Sequence, residues 1–453
     1  MEQRKENKMG VMPVKKLIVT MSLPMMASML VQALYNIVDS IFVAQLSENA
    51  LTAVTLAFPL QNMIIAVASG TGVGVNAILS RSLGEKKFDR SNAAANTSVL
   101  LALCSYVIFL IVGIFGAKGF IATQTNDAEI LEYGETYLGI VMCLSIGVFM
   151  QVNFERLLQS TGKTFFSMIS QMTGAIINII MDPILIFGLF GFPALGVAGA
   201  AYATIFGQVI SSILGVIMNV KFNTEIQLSV KEVFRPKIEI IKEIYMVGIP
   251  SILMVSIGSI MTFSMNKILM AFSSTATAVF GVYFKLQSFF FMPVFGLNNG
   301  IIPVLAYNYG ARKKDRILEA LKFGITLAFS IMLVGTLIFE TIPGVLLGFF
   351  NASEDMLALG EPALRIIAVH FPIAGISIAL GSVFQAFAKS IYSLIISVAR
   401  QLVILIPVAW LLAQTGNVNM VWLAYPIAEI VSVICSIFFF KKVKKEVIHE
   451  LDG

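Results

Sequence analysis

Residues 17–46 read Leu17-Ile18-Val19-Thr20-Met21-Ser22-Leu23-Pro24-Met25-Met26-Ala27-Ser28-Met29-Leu30-Val31-Gln32-Ala33-Leu34-Tyr35-Asn36-Ile37-Val38-Asp39-Ser40-Ile41-Phe42-Val43-Ala44-Gln45-Leu46, with Asp39 the one charged side chain. A bilayer core about 30 Å thick is crossed by about 20 apolar residues as a helix, so this run reads as a membrane span. It far exceeds the apolar core of a cleavable leader, and none is expected. The rest of the chain agrees. Of 453 residues 57% are hydrophobic and 13% charged, and the mean hydropathy is +0.87. Soluble domains run near 45–50% and about 25%. That balance excludes a cytosolic enzyme, a disordered chain and a nucleic-acid-binding module. Cys104, Cys143 and Cys435 sit far apart in apolar runs, and His370 and His449 are the only histidines. Neither a disulfide framework nor a His-rich metal centre is expected.

Eleven further runs follow the first, at about 52–80, 94–116, 134–155, 165–190, 194–220, 243–270, 276–307, 320–347, 361–388, 391–414 and 419–440. None shows the alternation of a membrane β-strand, so all twelve are read as helices. The two tails and the even-numbered connections hold 26 of the 31 basic residues, Arg4, Lys5, Arg156 and Lys389 among them, whereas the odd-numbered connections hold Lys118 alone. Lysine and arginine collect on the cytoplasmic side. Both termini are therefore expected there, and the net charge of +5 needs no nucleic acid to explain it.

A shift of 226 positions pairs Pro24 with Pro250, Phe58 with Phe284, Gln61 with Gln287, Gly84 with Gly310, Lys87 with Lys313, Arg90 with Arg316, Gln159 with Gln385 and Lys163 with Lys389. The offset holds without a gap, so each half carries six spans. Six is even, so both halves enter the membrane the same way, related by a pseudo-two-fold along the membrane normal. The expected architecture is an all-α membrane protein of twelve transmembrane helices in two six-helix lobes. Residues 1–16 form an N-terminal tail, 17–220 the first lobe, 221–242 a polar linker, 243–440 the second lobe and 441–453 a basic tail. Parallel repeats around a cavity suit an alternating-access carrier.

Ionisable groups inside a bilayer are costly and tend to be functional. In span 1, Ser28, Gln32, Tyr35, Asn36 and Asp39 recur at three- and four-residue steps, forming one polar stripe that must face a cavity or another helix. In span 5, Asn178 and Asp182 are one turn apart, and Pro183 leaves the carbonyl of Ile179 unpaired. Both aspartates lie about seven residues, roughly 10 Å, from the same end of their spans. Two carboxyls at one depth are candidates for a shared site that holds a proton or Na⁺; the other reading is that each is separately satisfied by neighbouring hydroxyls or amides. At the 226 shift Asp39 meets Met265 and Asp182 meets Val408, so the second half lacks the pair and offers Lys267, Lys285, Arg400 and Glu429. Lys285 is read either as charge on a cavity wall or as a snorkelling or structurally paired side chain.

Other features carry structure. Gly70-Thr71-Gly72-Val73-Gly74 lies inside an apolar run with no preceding strand, which favours close helix packing over a nucleotide loop. The charged boxes after Gly84 and Gly310 read as interfacial anchors, as do Trp410 and Trp422.

Five segments together resemble the bacterial branch of the multidrug and toxic compound extrusion (MATE) family: Ser22-Leu23-Pro24-Met25-Met26, Tyr35 to Val43, Ser80-Arg81-Ser82-Leu83-Gly84, Asn178 to Gly188, and Gly196 to Thr204. Phe284-Lys285-Leu286-Gln287 and Pro303 to Gly310 echo it in the second half. The resemblance implies a multi-pass carrier of the bacterial inner membrane, a monomer, exporting cationic amphipathic compounds in exchange for H⁺ or Na⁺. It implies no cofactor and no enzymatic turnover. By the same resemblance the cation-site residues fall on Asp39, Asn178 and Asp182, with Asn153 and Thr204 beside them, and the bend-forming proline on Pro24. Gly258-Ser259 stands where members that couple through the second lobe carry a span-7 acid, which places coupling in the first. Two other readings remain beside it. One is a flippase of lipid-linked saccharides with the same superfamily fold, which calls for a strongly basic cavity. The other is an intramembrane hydrolase, which the lack of HExxH and of a Ser–His pairing disfavours.

Overall fold

The structure, a computed structural model, describes residues 6–350, 352–448 and 451, the side chain of Glu48 apart. Arg4, Lys5 and His449 lie outside the described residues. Among the described residues, ten helices are long and apolar enough to cross a membrane, and two bent helix pairs, each taken as one span, bring the number to twelve. Spans 1 to 6 are Val14–Leu46, Glu48–Gly84, Phe88–Ala122, the bent pair Ala128–Cys143 with Ile146–Ser160, Thr164–Phe187, and Val197–Phe222. Spans 7 to 12 are Ile238–Met270, Ser274–Gly310, Lys314–Thr341, the bent pair Glu354–Ala368 with Phe371–Ala386, Ser390–Ala413, and Val418–Ile448.

The repeat is visible residue by residue. Ser47 and Ser273, 226 apart, cap spans 2 and 8, each accepting from a backbone N–H three residues on at 3.0 Å. Lys86, Gly162, Arg312 and Ala388 all take positive φ, and the first pair maps onto the second at the same shift. Each ends a helix in a left-handed turn, closed by the next residue's N–H on a carbonyl five back: Lys87 on Ser82, Lys163 on Leu158, Lys313 on Asn308, Lys389 on Phe384. The breaks in spans 4 and 10 also correspond, at 44° and 46°. Hydropathy missed both, because the apolar run continues across each break.

The chain divides into two compact units, Ala27–Ile252 and Met1–Met26 with Leu253–Gly453. This departs from lobes bounded at 17–220 and 243–440. The boundaries fall after Met26 and Ile252, again 226 apart, two residues past Pro24 and Pro250. The reason is packing rather than chain order. In the first-numbered unit, the opening half of span 7 lies against span 2, where a Cβ on Gly70 would strike Ile252 and one on Gly74 would strike the Ile244 carbonyl. In the other unit, the opening half of span 1 lies against span 8, where Gly296 meets the Met26 backbone and Gly300 meets Ser22. Ser22 also donates to the Leu297 carbonyl. The glycines of 70–74 thus serve close helix contact, as their setting predicted.

The polar linker expected at 221–242 is shorter, because span 6 runs to Phe222 and span 7 starts at Ile238, and its middle is docked on span 3. The Gln227 N–H donates to Asn92, the Ser229 N–H to Asn96, and the Asn96 amide to the Gln227 carbonyl, all at 2.8–2.9 Å. Two sequence readings need correction. Arg156 is only 7% exposed, so it is an interior group and no loop charge; Trp422 is fully buried and is no interfacial anchor.

Candidate functional site

Spans 1 and 5 each continue through an internal proline, Pro24 and Pro183. A proline has no N–H, so the carbonyl four residues earlier loses its helical partner. Between these two helices the aspartates meet. Asp39 and Asp182 face each other within interaction range, and both act electrostatically on Tyr35 and Tyr137. Asp182 is fully buried and Asn178, one turn before it, is 3% exposed.

The oxygens are the notable part. Both carboxylate oxygens of Asp182, Oδ1 of Asp39 and Oδ1 of Asn178 are buried without a hydrogen-bond partner. The Asn178 side chain is oriented by its other end, where Nδ2 donates to Thr204 Oγ1 at 3.2 Å. That bond fixes the amide so that its oxygen is the end left unpartnered. A group of buried, unsatisfied oxygens is costly unless something positive is shared among them. A proton held between the carboxyls would meet that need, and so would a hard cation such as Na⁺, which takes oxygen ligands.

The other residues singled out in the sequence are distributed unevenly. Gln32 joins the same unit's interior, accepting from Gln171 Nε2 at 2.9 Å. Tyr35 is half-buried beside the carboxyls, whereas Asn36 is exposed and its carbonyl accepts from Ser40. Asn153 is buried with its amide nitrogen unpartnered. Pro24 and Lys285 belong to the other unit, and Lys285 is exposed on span 8. Lys267 rests over the Phe263 ring at 4.9 Å, and Arg400 pairs with Glu429 at 3.2 Å, so both have structural partners. A cleft of about 520 Å³ opens elsewhere, at the charged turn among Lys86, Arg90, Lys237 and Glu243, and includes neither carboxyl.

Three residues escaped the sequence reading. Tyr137 is 2% exposed, donates to Gln61 Oε1 at 3.3 Å and lies within electrostatic range of both aspartates. Gln171 reaches Gln32. Glu155 is 5% exposed on the second half of span 4. A signal existed for Glu155: it stands four residues after Gln151, on one helical face. Its place at the end of an apolar run gives hydropathy no sign that it is covered.

Known proteins bear on this arrangement in three ways. The MatE family model matches residues 24–184 and 250–411, one match in each repeat. The multidrug export protein MepA of Staphylococcus haemolyticus is 27% identical over 419 residues, 92% of this chain and 91% of that one. Two solved structures superpose at 26% identity over the whole of both chains. One is the outward-facing conformation of a multidrug resistance MATE family transporter, at TM-score 0.93; the other is a MATE in the straight conformation, at 0.91. With the family's model matched in both halves of a twelve-span fold, this chain belongs to the MatE family of transporters.

Proposed function

We propose that this protein is a secondary active antiporter of the bacterial cell membrane that exports cationic, amphipathic compounds in exchange for H⁺ or Na⁺. Both termini face the cytoplasm, as the basic loops demand. The observation that carries this reading is the cluster of four unpartnered buried oxygens on Asp39, Asn178 and Asp182. The name of the staphylococcal relative supports the choice of cargo. Such a carrier needs neither a bound cofactor nor a catalytic nucleophile.

The mechanism follows from electrostatics. With the site open outward, a cation binds between the carboxyls and removes their mutual repulsion. The loaded and unloaded states then differ in how Asp39 and span 1 sit against span 5. A ligand shifts a conformational equilibrium only through a difference in affinity between the states. Cation binding that favours the state with low drug affinity drives drug release outward. Pro24 lies just before span 1 enters the unit that holds the cation site, so the missing hydrogen bond there lets the helix bend where it changes partners.

The test is transport in proteoliposomes with imposed pH or Na⁺ gradients. Asp39→Asn and Asp182→Asn should each reduce gradient-driven export to background while the purified protein remains folded. Export at the unmodified rate by either variant would refute the site.

A further inference from the structure

We propose that Glu155 is a second carboxylate station for the coupling cation, placed on the inner side of the Asp39–Asp182 pair and joined to it by a hydrated seam between spans 4, 5 and 6. This rests on the antiport reading above and assigns a role to an acid that reading does not use.

Glu155 is buried on the half-helix Ile146–Ser160, which ends at the turn carrying Lys163. Gln151 Nε2 donates to its Oε1 at 3.0 Å, and Ser211 of span 6 is within hydrogen-bonding reach. Ser211 in turn is tied to Ser170 of span 5 by reciprocal bonds of 2.7 and 2.8 Å to each other's carbonyls. Ser170 precedes Asp182 by twelve residues, about 18 Å along the helix. The acid and the pair therefore lie at two well-separated depths of one helix bundle.

The space between those depths is lined with polar side chains. Asn178 and Thr204 stand next to the pair, Gln208 follows one turn along span 6, and Gln171 bridges from span 5 to Gln32 below Asp39. Gln208 Oε1, Gln171 Oε1 and Asn153 Nδ2 are buried without a partner. An unmet buried amide group costs about 1–3 kcal/mol, and in proteins such groups are met by internal water. Asn153 lies on the opposite face of span 4 from Glu155, but the other two, on spans 5 and 6, mark a wet path between helices and not a dry contact. The charged group acting on Glu155 is Arg156, its neighbour on span 4; the groups nearest it on spans 5 and 6 are hydroxyls and amides, which do not titrate. Span 2 meets Arg156 through Gly72.

When the cation is a proton, the O–H bond broken at the aspartate pair is re-formed at Glu155 through the intervening water, with no change in total charge. Glu155 then stands neutral beside Arg156, and loss of the proton to the inner face restores the balanced pair. When the cation is Na⁺, the oxygens of Glu155 and Ser211 are hard ligands of the required kind.

The experiment uses the full chain in proteoliposomes, with ethidium as the exported cation and either a pH or an Na⁺ gradient, which separates the two ion sources. Glu155→Gln should lower export by about tenfold or more while ethidium binding at equilibrium stays within about twofold. Its rate should also lose dependence on pH, or on Na⁺, at the inner face. Glu155→Asp, which keeps the carboxylate, should recover a large share of the rate. Export by Glu155→Gln at the unmodified rate overturns the station. So does equal loss of binding in both variants, which would mark a packing role. Asp39→Asn run alongside separates the two levels: inactive Asp39→Asn with active Glu155→Gln removes only the station, whereas active Asp39→Asn removes the antiport reading itself.

Discussion

Span 5 carries Asn178 and Asp182 with their oxygens buried and unpartnered, while span 11, its equivalent 226 residues on, carries Ile404 and Val408 at those positions. Span 11 instead has Arg400, bonded to Glu429 of span 12 at 3.2 Å. Arg400 takes the place of Gly174, where the backbones of spans 5 and 6 touch: a Cβ on Gly207 would run into the Gly174 carbonyl. The backbone also differs there. Residues Ala399–Leu405 form a π-helical turn, a wider coil than the α-helix of span 5 at the equivalent place. Two copies of one fold have thus used the same position for opposite ends. One brings helices together and leaves both oxygens of its acid without a partner; the other sets a fixed charge on one oxygen of its acid, Glu429 Oε2, while Oε1 stays unpartnered. A buried acid with no fixed counter-charge responds to a mobile cation, whereas one already facing a guanidinium has far less need of it.

This contrast predicts opposite signs for similar mutations. Removing Arg400 as Arg400→Met leaves Glu429, 2% exposed, as a buried charge without its partner. Such a loss costs about 3–5 kcal/mol. The double replacement Arg400→Met with Glu429→Met should recover most of it, because a well-packed apolar pair avoids the desolvation penalty. Asp182→Asn should instead hold or raise stability while it abolishes export, since it removes a charge that no protein group compensates. Thermal unfolding in detergent measures all three. A destabilised Asp182→Asn beside an unaffected Arg400→Met would reverse the assignment of the two halves.

The charged turns sharpen the comparison at lower energy. Arg90 and Arg316 occupy equivalent positions, yet Arg90 pairs with the Glu243 carboxylate at the start of span 7, whereas Arg316 donates to the carbonyls of Met9 and Met12 at 3.0 and 2.7 Å and to Asn308 at 3.0 Å. Each arginine therefore anchors the chain as it enters the helix that opens the other repeat. Hydrogen bonds from a charged donor contribute about 1.5–3 kcal/mol, and a partly exposed ion pair nearer 1 kcal/mol or less, screened by salt. Arg316→Ala should cost more than Arg90→Ala, with no salt dependence, and should speed proteolysis ahead of Val14. Arg90→Ala should matter least at high ionic strength. Equal salt dependence in both would erase the distinction.

The span count, the repeat and the depth match of the aspartates were all legible in sequence, because each depends on local chemistry: apolar length, a fixed offset, and helical rise from a helix end. What was illegible depends on which surfaces meet. Nothing between Cys143 and Ile146 announces a bend, since no proline or glycine interrupts it. The unit boundary after Met26 follows from Gly296 and Gly300 receiving span 1, a contact about 275 residues away in the chain, as the Ser22–Leu297 bond shows. Glu155 and Arg156 resembled a charged helix end. Their burial comes from Gly72 of span 2 and Ser211 of span 6 closing over them. Hydropathy reads the helix surface and cannot see what covers it.

The smallest effect lies at the residue where the two turns differ most in charge. Glu85 corresponds to Ala311, and its carboxylate is held by Lys87 and Arg81, each at 2.8 Å. Burial pushes its titration up from the ordinary value of 4.5, but the hydrogen bonds from Lys87 and Arg81 outweigh burial and leave it lowered. A carboxyl that titrates lower when folded than when unfolded stabilises the fold above the unfolded value, and that contribution disappears as the pH falls through the folded one. Glu85→Gln should therefore melt slightly below the unmodified protein at neutral pH, with the gap closing as the pH drops under the ordinary glutamate range. Because the pairing arginine and lysine are partly exposed, added salt should narrow the gap as well. A gap that persists unchanged into acid would mean that Glu85 acts through packing of its stem, and that the two turns differ in shape and not in charge.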